Sequence, residues 1–308
     1  VMDLYEMTMA YGYFNDKDKD TKVVFDVFYR RNPDKGGFAI FAGLEQIIEY
    51  IEHLHFDEED IAYFRSLHLF NDAFLDYLKD FRFRGDVYAF AEGTIMYPNE
   101  PVVTVVAPLI DAQLVETAIL AEFNHQSLIA TKTRRIRKAA GKRAVSDFGA
   151  RRAHNMDAAV YGARAAYIGG ADGTATVLAG KMFGIPVGGT MAHSWVMYYQ
   201  DEYEAFKKYA KNYPDETVLL IDTYDVVKSG VPNAIRVAKV LEPIGKRLKG
   251  VRIDSGDLAY LSKKVRKMLD DAGLNDCKIT VSNSLDEFTI TSILQQGGCI
   301  DSFGVGER

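Results

Sequence analysis

Apolar and polar positions alternate with two different periods along this chain, and they divide it into a mixed first half and a rhythmic second half. An amphipathic pattern is under way by Leu4 and predicts a short helix over residues 2–14. Lys22 to Arg30 reads as a strand, Gly36-Gly37 as a turn, and helical spacing resumes from Leu44 to Leu54. Residues 57–81 predict acidic-capped helices rich in Phe and Tyr. Val87–Ala91 and Val102–Ala107 read as strands, separated by turns at Glu92-Gly93 and Pro98. A long helix is expected from Asp111 to Ala140, ending at Gly141, with basic residues in its last turns where the helix dipole favours them.

The second half repeats. Short apolar strands (Val218–Ile221, Val251–Ile253, Lys278–Val281, Ile300–Phe303) alternate with helices near 231–242, 257–272 and 285–296. The repeat of about 30 residues is the size of a parallel βαβ unit. Each strand leads into a polar or small residue: Asp222, Asp254, Asn283 and Gly304. Ligands of parallel α/β sheets bind at the carboxyl ends of the strands, so these residues are expected around one mouth. The expected fold is α/β: an incomplete β/α barrel over residues 126–308, preceded by an α+β N-terminal domain over residues 1–125. Both ends read as cut, at Val1 and inside the glycine loop Gly304-Val305-Gly306-Glu307-Arg308, so a fragment of a longer chain is expected.

Composition narrows the function classes. With 308 residues, 48% hydrophobic and 26% charged, the chain has the make-up of an ordinary globular protein with a large core. A net charge of -6 argues against a general nucleic-acid surface. No apolar run is long enough to span a bilayer and no secretory signal opens the sequence, so a cytoplasmic protein without membrane partners is expected. Cys277 and Cys299 lack metal-site spacing and make no disulfide framework.

Five clusters carry candidate chemistry. Gly188-Gly189-Thr190-Met191-Ala192-His193-Ser194-Trp195 sets a histidine among small residues after the strand-like Ile185–Val187. Small residues let backbone amides approach a ligand, and an imidazole changes charge near neutral pH; a packed histidine in a turn is the alternative. Ser146-Asp147-Phe148-Gly149-Ala150-Arg151-Arg152 offers paired arginines for bidentate capture of a carboxylate or phosphate, or else a solvated basic turn. Gly169–Ala175, including Gly173 and Thr174, reads as an anion-binding loop or a plain connector. Asp222 and Asp225 stand three apart at a strand end and suit Mg²⁺ or sugar hydroxyls, although Asp225 fits a helix cap better. Arg252 and Asp254 alternate to one face of a strand, while Asp257 fits a cap. Arginines, glycine amides, carboxylates and one histidine together point to a phosphate-handling barrel enzyme. No G-x-S-x-G, H-E-x-x-H or G-x-x-x-x-G-K-[ST] occurs.

The ordered set Asp3-Leu4-Tyr5-Glu6-Met7-Thr8-Met9-Ala10-Tyr11, Phe28–Pro33, Phe148-Gly149-x-Arg151-Arg152-Ala153, Thr190-x-Ala192-His193-Ser194-Trp195, Asp222-Thr223-Tyr224-Asp225 and Arg252-x-Asp254-Ser255-Gly256-Asp257-Leu258 resembles the bacterial type of the nicotinate phosphoribosyltransferase family, a branch of the type II phosphoribosyltransferases. The resemblance runs through all 308 residues. It implies conversion of nicotinate and phosphoribosyl pyrophosphate to nicotinate mononucleotide and pyrophosphate, coupled to ATP hydrolysis through a phosphohistidine, in NAD salvage. By position, it implies that His193 is the phosphorylated histidine and that Arg151, with Arg152 beside it, meets nicotinate. Tyr5 matches an aromatic that stacks on the pyridine ring, usually across a homodimer interface. Asp222 and Asp254 match the carboxylates near the ribose hydroxyls and Mg²⁺, and Arg252 a phosphate contact. Gly173, Thr174, Thr190, Ser194, Asn283, Gly304 and Gly306 complete the implied substrate-binding set.

Three positions depart from the family pattern. Ala150 stands where a larger apolar residue is common, and Ala175 where Ser is usual. Relatives that use nicotinamide carry Asp at the latter position, so Ala175 favours the acid. Glu307 replaces a small hydroxyl residue and puts phosphate binding by the terminal loop in doubt. Alternatives are a nicotinamide- or quinolinate-using relative, the latter needing a second basic partner that the sequence does not offer, and a non-catalytic phosphoribosyl-binding homologue.

Overall fold

The structure, a computed structural model, describes residues 1–16 and 18–307. The chain divides into two compact units, Val1–Thr131 and Lys132–Arg308.

The first unit begins with α1 (Leu4–Asn15) and β1 (Lys22–Val27), then β2 (Ala39–Ile40), α2 (Leu44–His53), α3 (Glu58–Ser66) and α4 (Asp72–Lys79). It continues with β3 (Asp86–Ala89), β4 (Ile95–Met96), β5 (Val103–Pro108), α5 (Leu109–Gln113) and α6 (Glu116–Ala140), the last of which runs on into the second unit. The strands form an antiparallel sheet in the order β1-β5-β3 and a ribbon of β2 with β4. Alternation along β5 turns Val103, Val105 and Ala107 inward, onto a core that includes Phe41, Phe74 and Phe123. The helix expected over Asp111–Ala140 is two helices. Glu6 explains the break: it is fully buried, and its Oε1 accepts the Thr117 N–H at 2.9 Å, giving α6 a side-chain cap from α1.

The second unit contains β6 (Ala144–Asp147), α7 (Met156–Gly169), β7 (Gly173–Thr174), α8 (Val177–Phe183), α9 (His193–Tyr198) and α10 (Glu202–Asn212). β8 (Val218–Leu220) follows, with a π-helical turn (Val226–Gly230) leading into α11 (Val231–Leu241). β9 (Gly250–Ile253), α12 (Leu258–Asp271), β10 (Lys278–Ser282), α13 (Glu287–Gln295) and β11 (Ser302–Val305) complete it. Its six strands are parallel in the order β7-β6-β11-β10-β9-β8, and among the described residues the two edges do not pair, so the barrel is incomplete. Leu219, Ile221, Val251, Ile253, Ile279 and Val281 are fully buried, as expected of a parallel sheet covered by helices. Asp225 and Asp257 are caps: Asp225 accepts from the Val227 and Lys228 amides, and Asp257 from Tyr260.

The structure differs from the expected pattern at two further places. Gly304 does not follow the last strand; it lies inside it, because the Gly297-Gly298 turn delays β11 to Ser302. Gly173 and Thr174 form a short edge strand on β6, where a loop was expected.

Candidate active site

Strand register brings the polar residues together. Gly173 pairs with Ser146, Ser146 with Gly304, and Gly304 with Ser282. Ser282 Oγ bonds Asp254 Oδ1, and the Asp254 N–H donates to Asp222 Oδ2 at 2.9 Å. A single row thus crosses the carboxyl end of the sheet from β7 to the residues that follow β8, where this fold class binds ligands.

Asp222 is the buried member. Its Oδ2 also accepts the Ser255 hydroxyl at 2.6 Å, while its Oδ1 is buried with no hydrogen-bond partner. His193 is the first residue of α9. Its Nε2 stands 3.5 Å from Asp254 Oδ2 and 4.0 Å from Asp222 Oδ1, and its Nδ1 contacts Thr223 Oγ1 at 3.2 Å. Two carboxylates on one side favour the tautomer with the ring proton at Nε2. That leaves the Nδ1 lone pair to accept from Thr223.

Arg252 reaches the same end. One guanidinium nitrogen donates to Met191 O at 2.8 Å, while Nε is buried without a partner. Desolvation pushes its pKa below the usual arginine value; Asp254 and Asp222 oppose that shift and the charge of Arg151 adds to it. Arg151 is therefore near enough for its charge to be felt at Arg252. Both Arg151 and Arg152 are exposed, in a 3-10 turn spanning Ala150–Arg152. A buried acceptor oxygen, a buried donor nitrogen and two exposed guanidinium forks at one sheet end suit a polyanionic sugar ligand. Such groups are costly to leave unpaired in a finished core.

The other expected residues have varied surroundings. Thr190 Oγ1 contacts Met191 O at 3.3 Å, and Ser194 is exposed one residue into α9. Thr174 is buried and donates to Asp147 Oδ2 at 2.7 Å. Gly304 and Gly306 have a packing reason to be glycine: a Cβ at either would come within 2.4 Å of Phe148. Asn283 is exposed at the end of β10 with φ 87, followed by Ser284 with φ 51, two strained non-glycine residues in succession. Glu307, expected to repel phosphate, accepts the Ser284 hydroxyl at 2.7 Å. Tyr5 belongs to the first unit, where its hydroxyl donates to Glu116 Oε1 at 2.9 Å; desolvation and that carboxylate raise its pKa. Trp195 packs in the second core and donates to Ala205 O at 3.1 Å.

Sequence reading missed Asp147, Ser255 and Ser282 as parts of this constellation, and Thr223 as a partner of the histidine. Each was visible as a polar residue at a strand end, but only the register shows which neighbour it meets.

Comparison with known proteins decides the family. Residues 1–124 match the nicotinate phosphoribosyltransferase (NAPRTase) N-terminal domain, and residues 143–308 match the nicotinate phosphoribosyltransferase (NAPRTase) family. The chain belongs to the nicotinate phosphoribosyltransferase family. It is 50% identical to nicotinate phosphoribosyltransferase of Bacillus subtilis over 308 residues, covering 99% of this chain and 62% of that protein. To a Mycobacterium tuberculosis nicotinate phosphoribosyltransferase it is 47% identical, covering 99% of this chain and 65% of the relative. The chain therefore spans less than two thirds of the length of these two relatives. The crystal structure of human nicotinic acid phosphoribosyltransferase superposes with a TM-score of 0.93 at 30% identity, over 99% of this chain and 73% of that one.

Proposed function

We propose that this chain carries the catalytic site of a nicotinate phosphoribosyltransferase. In the reaction, the pyridine nitrogen of nicotinate attacks the anomeric carbon of phosphoribosyl pyrophosphate. The bond to pyrophosphate breaks with its electron pair, giving nicotinate mononucleotide in a step of NAD salvage. The observation that carries the reading is the meeting of His193, Asp222 and Asp254 beside half-buried Arg252 at the carboxyl end of the sheet.

Each group has a task. Arg151, with Arg152 beside it, offers the planar, permanently charged fork that a pyridine carboxylate needs. Arg252 holds a phosphate group with its unpartnered Nε–H. Asp222 and Asp254 face the electron-poor sugar and its hydroxyls, where negative charge stabilises oxocarbenium character. The same two carboxylates are hard oxygen donors, and the bare Asp222 Oδ1 leaves room for them to hold a divalent cation. Mg²⁺ held by Asp222 and Asp254 would supply charge neutralisation for departing pyrophosphate.

ATP enters through His193. With its proton held at Nε2, the imidazole uses the Nδ1 lone pair to attack the γ-phosphorus, and ADP leaves. Hydrolysis of the phosphohistidine later returns neutral imidazole and phosphate, and the added charge alters affinity in between. Tyr5 covers the apolar face of the pyridine ring from a second copy of the chain, in a homodimer. The protein works in the cytoplasm on these small molecules, without nucleic acid or membrane partners.

The test is turnover with nicotinate, nicotinamide and quinolinate in turn, each with phosphoribosyl pyrophosphate, Mg²⁺ and ATP. Nicotinate is expected to react at least tenfold faster than either rival. Preference for the amide or the diacid contradicts the assignment.

A further inference from the structure

Asp147 is used by none of the steps above, yet it stands just before the turn that carries Arg151 and Arg152. It is the last residue of β6, and its two carboxylate oxygens are divided between two neutral donors. Oδ1 accepts the Gly149 N–H at 2.9 Å, and Oδ2 accepts the Thr174 hydroxyl at 2.7 Å. The bonds extend in both directions. Gly149 O accepts the Arg152 N–H at 2.8 Å, which closes the turn that presents Arg151 and Arg152. Thr174 Oγ1 accepts the Thr176 N–H at 3.0 Å, and the Asp147 carbonyl accepts the Ala175 N–H at 2.9 Å. Between them, Phe148 is pinned by its own N–H to Val305 O at 2.7 Å.

The fit around the carboxylate is tight. A Cβ at Gly149 would sit 2.9 Å from Asp147 Oδ1 and 3.3 Å from Gly306 O, although the φ of -83 at Gly149 suits any residue. Glycine is needed there for closeness, not for backbone freedom. Burial raises the pKa of Asp147 in spite of its two hydrogen bonds, so the group is held out of water at a cost. A carboxylate placed this way fixes geometry: it holds one backbone amide on the arginine side and one hydroxyl on the β7 side.

We propose that Asp147 is a positioning residue for recognition of the pyridine carboxylate: it locks the backbone at Gly149 and so aims the Ala150–Arg152 turn at nicotinate. This rests on the activity proposed above. A purely structural role would lower stability and weaken both substrates together. A positioning role separates them, because Arg252 holds the phosphoribosyl side from another strand.

Two variants test this from opposite sides of the bond. D147N keeps the shape but has one acceptor oxygen where two donors converge. G149A leaves the carboxylate intact and forces it away from the turn. In each, the KM for nicotinate is expected to rise tenfold or more, while the KM for phosphoribosyl pyrophosphate stays within threefold of wild type. Direct binding of nicotinate, measured by calorimetry on the same full-length proteins, is expected to weaken in parallel. If both KM values rise together, or nicotinate binds the variants as well as the wild type, the inference falls and the assigned activity stands. A wild-type protein that neither binds nor converts nicotinate overturns both.

Discussion

Asp222 shows what a single residue can reveal about an unfinished site. One oxygen is engaged by the Asp254 amide and the Ser255 hydroxyl, and the other is buried without a partner, facing His193 Nε2. D222N is therefore informative. The asparagine carbonyl retains both accepted bonds, so the fold is preserved, but the charge proposed to serve the sugar and the cation is gone. A fall in kcat on the order of 10²-fold is expected, with a melting temperature within a few degrees of wild type; undiminished kcat contradicts the role. Sequence alone placed Asp222 and Asp254 at one mouth, because residues that follow strands of one parallel sheet share an end, and it read Arg252 on the same strand face as Asp254. It did not reveal Thr223, Ser255 or Ser282, whose parts depend on register and on contacts across 30, 33 and 28 positions.

At the scale of elements, the βα rhythm of the second half was plain, because strands buried on both faces read as continuous apolar runs. Short edge pieces were not. β7 has only two residues, and a glycine-rich stretch carries no strand period. Gly304 looked like a strand end because glycine usually marks one; in the structure it lies within β11 and gives way to Phe148. The π-helical turn before α11 also left no periodic signal. It is held by Asp225 and lies against the strand end that carries Asp222: a Cβ at Gly230 would sit 1.9 Å from Ile221 O. Backbone on both sides cannot yield as a side chain can. G230A is expected to lose about 3 kcal/mol of stability, read from urea denaturation; a variant as stable as wild type contradicts this packing. Wide turns of this kind recur at functional sites.

At the scale of the molecule, each compact unit carries a large hydrophobic core of its own, and a smaller cluster of Val160, Ala163 and Ala179 lies in the second. Among the described residues no helix is long and apolar enough to cross a membrane. Two mixed architectures in series follow from the change of hydrophobic period along the sequence. What that period cannot give is which anion the site takes. The proposal on that point rests on the charge-bearing atoms: the bare Asp222 oxygen, the half-buried guanidinium of Arg252, and an imidazole with one nitrogen against carboxylates and the other against a hydroxyl. The histidine is the most exposed to test. With ATP labelled at the γ-phosphate, wild-type protein is expected to take up an acid-labile, alkali-stable label recovered as phosphohistidine, and H193Q is expected to take up none while keeping its melting temperature. Equal labelling of wild type and H193Q contradicts phosphoryl transfer through His193.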